Sequence, residues 1–412
     1  MFPCFFIIFL HNPCEFEQNI VKIYLFDTKE THENLLPLSF TRPVGDFRCG
    51  ILTIKEKWEK YIPGEYFFHS IDYLQPKYGA VSDANEKALF IAGNLLPDFE
   101  VVEEIKALEN SEGLQGNNED LIAFKGSLND YKQGKIKIKK PSAEFSSINF
   151  NFDIFLKNGE EIKKDFDLIT RERTSQALPS CVRVIGEQSK YRIFIEEGAT
   201  IECASININE GPVYIGKDSV LMEGACIRGP FALCEGSEIR MGAKVYEETT
   251  IGPHCKAGGE ISNTVFFGYS NKAHDGYLGN AVIGEWCNIG AGTNASNLKN
   301  DYSLIRVWNY RTRTFMRTNL QFCGLIMGDH SKIGVNCMIN TATVIGVGVN
   351  IHGAGFPRTF VPCFCEGSPV SGFVQVPLKK FLSTAERVMD RRDMVPSKAD
   401  IGILTHIYDN HL

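Results

Sequence analysis

From Ile215 an aliphatic residue stands at every sixth position: Ile215, Leu221, Ile227, Leu233, Ile239, Val245 and Ile251. Four places after each comes Ser219, Ala225, Phe231, Ser237, Ala243, Thr249 or Cys255, small in six of the seven cases. The pattern returns at Ile333, Ile339, Ile345 and Ile351, with Ile283 and Ile289 as a pair between and Ile195 and Ile201 as an earlier one. Six is neither the helical period nor a strand alternation. It is the repeat of a parallel β-helix, in which each hexad is a short strand and a turn, the aliphatic residue points inward and the small one closes the corner. Coils then stack about 4.8 Å apart. Two interruptions stand out. Ile251 to Ile261 spans ten positions, which predicts a four-residue insertion around Ala257-Gly-Gly-Glu260, and a long excursion separates Ile289 from Ile333. Its Arg- and aromatic-rich part, Arg306 to Arg317, reads as strands or an arm packing on another surface.

Ahead of the repeat the pattern changes. Val21-Lys-Ile-Tyr-Leu-Phe26 alternates and is rich in β-formers, predicting a buried first strand that ends at Asp27. A loop held extended by Pro37 and Pro43 leads to a helix over Ile51 to Tyr61. Ala88 to Ala92, followed by Gly93 and Asn94, is a second buried strand with a glycine exit. Residues 111–134 read as a polar excursion, and Ile136 to Ile138, Phe150 to Phe155 and Asp165 to Ile169 as short strands or a connector. A loop leaving the first strand of an α/β sheet is where nucleotides usually sit. Arg42 and Arg48 in that loop are either a triphosphate grip or domain-bridging ion pairs, and the loop alone does not choose between them.

After Val370 the six-residue period stops. Leu378, Phe381, Leu382, Ala385, Val388 and Met389 fall at helical spacing, and a shorter helix follows around Ile401 to Ile407. Capping the open end of the solenoid is their expected role. The domain plan is therefore an extension at 1–20, an α/β domain at 21–182, the β-helix at 183–370 and a helical cap at 371–412. The ten apolar residues Met1 to Leu10 lack both a basic flank and a small-residue cleavage site and are too short to span a bilayer, so the functional chain is expected to start near Val21.

Composition changes this picture little. A chain of 412 residues with 43% hydrophobic and 23% charged residues is a globular protein of more than one core. A net charge of -7 argues against a nucleic-acid partner, and no membrane partner is expected. The 13 cysteines are scattered singly and several fill repeat positions, pointing to a reducing, cytoplasmic setting. Cys363 and Cys365 have no second pair at zinc-ligand spacing.

The chemistry concentrates in Asn271 to Asn297, NKAHDGYLGNAVIGEWCNIGAGTNASN, where His274, Tyr277, Asn288 and Asn297 gather at an irregularity in the repeat. His274, Asn288 and Asn297 also have a plain reading as residues of exposed turns. A zinc site of three histidines, as in a hexapeptide carbonic anhydrase, does not fit His254, His274, His330 and His352, none of which are five apart.

The hexads together with His274-Asp-Gly-Tyr-Leu-Gly-Asn-Ala-Val-Ile-Gly-Glu-Trp-Cys-Asn-Ile-Gly-Ala-Gly-Thr293 resemble the left-handed β-helix of the bifunctional N-acetylglucosamine-1-phosphate uridyltransferase/glucosamine-1-phosphate N-acetyltransferase family. The whole chain looks most like that family's alternative branch of sugar nucleotidyltransferases, through Leu36-Pro-Leu-Ser-Phe-Thr-Arg-Pro43. The resemblance implies an α/β nucleotidyltransferase-like domain joined to a left-handed parallel β-helix with C-terminal helices. It also implies His274 as catalytic base, Glu260 as its supporting carboxylate, Arg240 as phosphate ligand, and Tyr277, Asn288 and Asn297 as sugar contacts. It further implies a homotrimer with shared sites, and acetyl-CoA along the later coils near Gly353 and Lys332. The substrates would be UTP and an amino-sugar phosphate, with Mg²⁺ for nucleotidyl transfer. Three departures stand against it. Ser262 and Ser303 occupy the positions of phosphate-binding lysines, with Lys299 the nearest substitute. The Gly-rich nucleotide loop is replaced by the Thr41 to Gly50 region, and Gly93-Asn94 stands where a metal-binding aspartate is expected. An acetyltransferase for another amino sugar with a binding-only N-terminal domain, and a non-catalytic sugar-nucleotide sensor, are the competing readings.

Overall fold

The computed structural model describes residues 21–116, 120–187 and 189–410, so the expected extension at 1–20 lies outside it. The N-terminal domain is a six-stranded sheet in the order Glu65–His69, Lys22–Phe26, Ala88–Ala92, Leu121–Gly126, Glu112–Gln115, Lys137–Lys139. Lys22–Phe26 pairs in parallel with both its neighbours, and Leu121–Gly126 runs antiparallel to Ala88–Ala92. Two expectations are corrected here. The polar stretch 111–134 holds two strands and the helix Leu128–Lys132, because Leu114, Ile122, Ala123 and Phe124 are buried between its polar residues. The segments Phe150 to Phe155 and Asp165 to Ile169 are parts of one helix, Asn151–Thr170, whose buried Phe152, Phe155, Ile162 and Phe166 recur at three, seven and four positions. The helix Ile54–Tyr61 starts at a capping box in which Thr53 and Glu56 satisfy each other's backbone amides.

The second half is a parallel β-helix. One column of inward residues runs Ile201, Leu221, Ile239, Ala257, each paired in register with the next. Regular coils advance 18 residues, as from Leu221 to Ile239 and from Ile333 to Ile351. The expected four-residue insertion before Ile261 is absent. Ala257 fills an inward position, and the coil is shortened, since Ala257 pairs with Lys272 only 15 residues on. The strand Glu260–Phe266 runs straight past a place where other coils turn, pairing Ile261 with Val245 and Phe266 with Ile251. The excursion after Ala295 forms the hairpin Arg306–Asn309 with Thr314–Arg317, an arm lying on the N-terminal domain, where Tyr310 meets Phe40 edge-on and Asn309 reaches Asn34.

One face of the prism carries the N-terminal domain. Its outward column, Ala232, Thr250, Val265, Val282, Ile326 and Val344, is wholly buried. The helix Asn151–Thr170 lies on it, with Asn158 Nδ2 donating to the Glu248 carbonyl at 2.8 Å. Lys57 is buried between this helix's Glu161 (2.8 Å) and Asp165 (2.5 Å), and Asp165 also accepts the Ile51 and Leu52 amides.

The C-terminal helices do not plug the open end. Leu378–Asp390 runs along a flank of the prism from Phe364, against which Phe381 packs, to His254 and Asn271, both reached by Arg392. Beneath it, His254, Tyr269, Trp286 and His330 stack ring on ring at successive corners, each with positive φ. The helix buries Phe381 and Ala385 on this side, with Phe381 edge-on to His330. Lys398–Asn410 returns to the N-terminal domain, pairing Asp400 with Lys77 and stacking His406 on Tyr73.

Candidate active site

The shortened coils build a distinctive corner. Arg240, Gly258 and Ala273-His274 follow one another up the prism at the same edge, each just after an inward residue of the same column. A Cβ on Gly258 would lie 3.1 Å from Arg240 Cβ and 2.7 Å from the Ala273 carbonyl oxygen, so only glycine lets these coils close. His274 is exposed at this corner. Arg240 is held by Glu238 at 3.0 Å, and Lys256 shares the same carboxylate at 2.7 Å.

Around the edge, strand Tyr277–Ile283 lies in register with Glu260–Phe266, which sets Tyr277 beside Glu260. Burial and the nearby Glu260 carboxylate push the Tyr277 phenol up, while Asn297 opposes them. The phenol oxygen accepts from Asn297 Nδ2 at 2.9 Å, and the same amide donates to Asn280 Oδ1 at 2.7 Å. Gly279 makes this possible, because a Cβ there would collide with the Tyr277 hydroxyl and stand 2.9 Å from Asn297 Nδ2. Among the described residues no hydrogen bond joins Glu260 to the His274 ring. Gly259 does bring their backbones together, since its Cβ would stand 2.9 Å from the His274 carbonyl oxygen.

Asn288 is not part of this group. It is exposed on the neighbouring sheet, in register with Asn271 and Lys332. Ser262 lies beside Gly279 and offers a neutral hydroxyl where a lysine would be charged, and Lys299 turns to Ser303 Oγ and the Leu304 carbonyl. One cation overlooked in the sequence is Lys244, exposed and in register with Glu260 one coil below. Another is Lys272, which occupies an inward hexad position.

The expected coenzyme contacts are differently placed. Lys332 lies beneath the helix Leu378–Asp390, where its ammonium donates to the Trp286 and His330 carbonyls, and burial lowers it to about 8. Gly353 is a corner of positive φ packed against Ser368. Gly353 is exposed, whereas the Lys332 ammonium is taken up by those two carbonyls.

In the N-terminal domain Arg42 and Arg48 turn inward. Arg42 is 3% exposed, sits over Phe267, and pairs with Asp329 and, at 2.8 Å, with Glu285, both from the solenoid. Arg48 donates to the Ile51 carbonyl. Arg42 bridges the domains, Arg48 binds within the N-terminal one, and neither lines the open cleft of about 560 Å³ that Asn94, Asp120, Glu144 and Asn149 border. Gly93 packs against Asp27, whose carboxylate burial raises to about 6 against the pull of Ser70 and the Val44 amide. Asn94 donates to Asn149 at 3.1 Å. Asn94 presents an amide where a carboxylate would hold Mg²⁺, while the carboxylates of Asp120 and Glu144 border the same cleft.

The fold and these residues define a two-domain transferase architecture, a nucleotidyltransferase-like sheet docked on a hexapeptide-repeat β-helix. Residues 23–174 match the sugar nucleotidyl transferase family, and the resemblance to the bifunctional uridyltransferase/acetyltransferase family is borne out by several curated relatives. Bifunctional protein GlmU of Trichodesmium erythraeum (strain IMS101) is 29% identical over 154 residues, which are 37% of this chain and 26% of that protein. That of Gloeobacter violaceus (strain ATCC 29082 / PCC 7421) is 31% identical over 129 residues, 31% of this chain and 23% of its own length. The matched parts thus span about a quarter of these relatives. Among solved structures, the polySia specific acetyltransferase NeuO is 12% identical with a TM-score of 0.27, covering 52% of this chain and 99% of that one. The UDP-N-acetylglucosamine acyltransferase of Francisella novicida is 12% identical with a TM-score of 0.22, covering 57% and 90%. Both likenesses are too slight to bear on function. No helix among the described residues is long and apolar enough to cross a membrane.

Proposed function

We propose that the protein is an acetyl-CoA-dependent N-acetyltransferase acting on an amino-sugar phosphate, with glucosamine-1-phosphate as the acceptor, and that its N-terminal domain handles the corresponding uridine nucleotide. The observation that carries this reading is the Tyr277–Asn297–Asn280 hydrogen-bonded group set one corner away from the exposed His274. Neutral amide and phenol groups match sugar hydroxyls, and an imidazole whose ordinary pKa is about 6.5 suits proton abstraction near neutrality. The amine nitrogen attacks the thioester carbonyl carbon as His274 takes its proton. The C–S bond then breaks, and the coenzyme leaves as a thiol once protonated. Glu260, whose coil lies against the His274 turn, is the carboxylate that supports the base. Arg240 and Lys244 hold the phosphate, Lys244 replacing the charge missing at Ser262.

Asn288 lies on the neighbouring sheet and is exposed, a place from which it would complete the site of an adjacent chain in a trimer. Exposed Met241 and Val335 flank His274 in the same column of corners and suit burial by that neighbour. A monomer by light scattering with full activity would contradict the shared site. For the N-terminal domain, Asn94 in place of a metal-binding carboxylate and the inward Arg42 and Arg48 favour binding of the nucleotide without transfer. Pyrophosphate release from UTP and N-acetylglucosamine-1-phosphate with Mg²⁺ would reverse that second reading.

Thiol release from acetyl-CoA in the presence of glucosamine-1-phosphate tests the main proposal, and no release with any amino-sugar phosphate sinks it. Substituting Gly279→Ala tests the acceptor pocket. Its new Cβ displaces the Tyr277 hydroxyl, and KM for the acceptor is expected to rise about tenfold, the value of a lost hydrogen bond, with the fold intact by circular dichroism.

A further inference from the structure

Lys272 fills a position of the inward column where other coils place Leu221, Ile239, Ile289, Ile333 and Ile351. It is 1% exposed, and its register partner is Ala257, a small residue that leaves room for the longer side chain. Its ammonium donates to the His274 carbonyl at 2.7 Å and to the Gly258 carbonyl at 3.0 Å. Those carbonyls have a reason to need it. In regular corners an amide of the next coil closes back on the turn, as Gly242 does on Glu223 and Asn336 on Ala291. The corner between Ala257 and Ile261 is two residues shorter than its neighbours, and neither the Gly258 nor the His274 carbonyl accepts a backbone amide among the described residues. A buried carbonyl without a donor is costly, and so is a buried ammonium without acceptors. Each relieves the other here.

We infer that Lys272 is a positioning residue, an internal strut that holds the His274 turn in place from inside the prism. The inference rests on the reading of His274 as the base. Burial lowers the Lys272 ammonium to about 8, with Asp275 opposing, as expected of a cation held mainly by neutral carbonyls. The strut connects the two coils whose shortening creates the site: it reaches down to Gly258, next to Arg240, and up to His274.

Lys272→Met keeps the length and apolar stem and removes the donors. Amide hydrogen exchange of residues 273–276 is expected to quicken at least about tenfold, with residues 239–245 and 333–339 unchanged. In the same variant kcat is expected to fall at least about tenfold while KM for the amino-sugar phosphate stays within about twofold. Unchanged exchange at 273–276, or a kcat equal to wild type, overturns the inference. Should Lys272→Met not fold, nitrogen-15 NMR of the wild-type lysines decides. A Lys272 ammonium protected from solvent exchange supports the strut, and a freely exchanging one refutes it. A wild type with no transferase activity would remove the role given to His274, while the exchange comparison would still decide whether the strut exists.

Discussion

Replacing His274 by alanine is expected to lower acetyl transfer to glucosamine-1-phosphate by about 10²–10⁴-fold in kcat, with acceptor KM changed little. The side chain is exposed at its corner and contributes no buried contact, so its removal should leave the melting temperature unchanged. The proton of the attacking amine then has no positioned acceptor, whereas sugar contacts through Tyr277 and Asn297 persist. Thiol release by wild type and variant under saturating acetyl-CoA measures this. A variant retaining more than a tenth of wild-type kcat would move the base elsewhere.

Arg42→Ala is expected to act on stability instead. Arg42 joins Asp329 and Glu285 across the domain interface, and Thr41 Oγ1 also donates to Asp329 at 2.7 Å. Deleting the guanidinium leaves the buried Asp329 carboxylate with the Thr41 hydroxyl and the Glu285 amide but no cationic partner, and breaking a buried pair from one side costs about 3–5 kcal/mol. Loss of several degrees in the melting temperature, read by calorimetry, is the expected result, with UTP affinity of the folded variant unchanged. A nucleotide-gripping Arg42 would show the reverse, a normal melting temperature and weakened UTP binding.

How far the site could be read from the chain depended on the kind of signal. Tyr277 and Asn297 lie 20 positions apart in one polar stretch, and their contact follows from register, since consecutive coils set Leu278 beside Ala295. The interface face was legible in principle. Apolar or small doublets such as Ala232-Leu233, Val265-Phe266, Val282-Ile283 and Val344-Ile345 alternate with polar-first pairs such as Glu238-Ile239 and Lys332-Ile333. The column beneath the N-terminal domain is drawn from these doublets, with Thr250 as its one polar member. The long helix Asn151–Thr170 reads in sequence as separate pieces because buried polar residues, Asn158, Glu161 and Asp165, interrupt its apolar stripe to meet the Gly50 amide, Lys57 and the Ile51 amide.

By itself the sequence determined the β-helix, because a six-residue period is a local property that survives whatever packs around it, and it marked the first strand and the corner bearing His274. Tertiary structure alone decided that the irregularity before His274 is a shortening, that Arg42 serves the interface, that the last helices lie along the prism, and that Lys272 points inward. Each of these depends on which coil neighbours which, and a charged side chain's partner is set by that stacking register, to which residue spacing along the chain is blind.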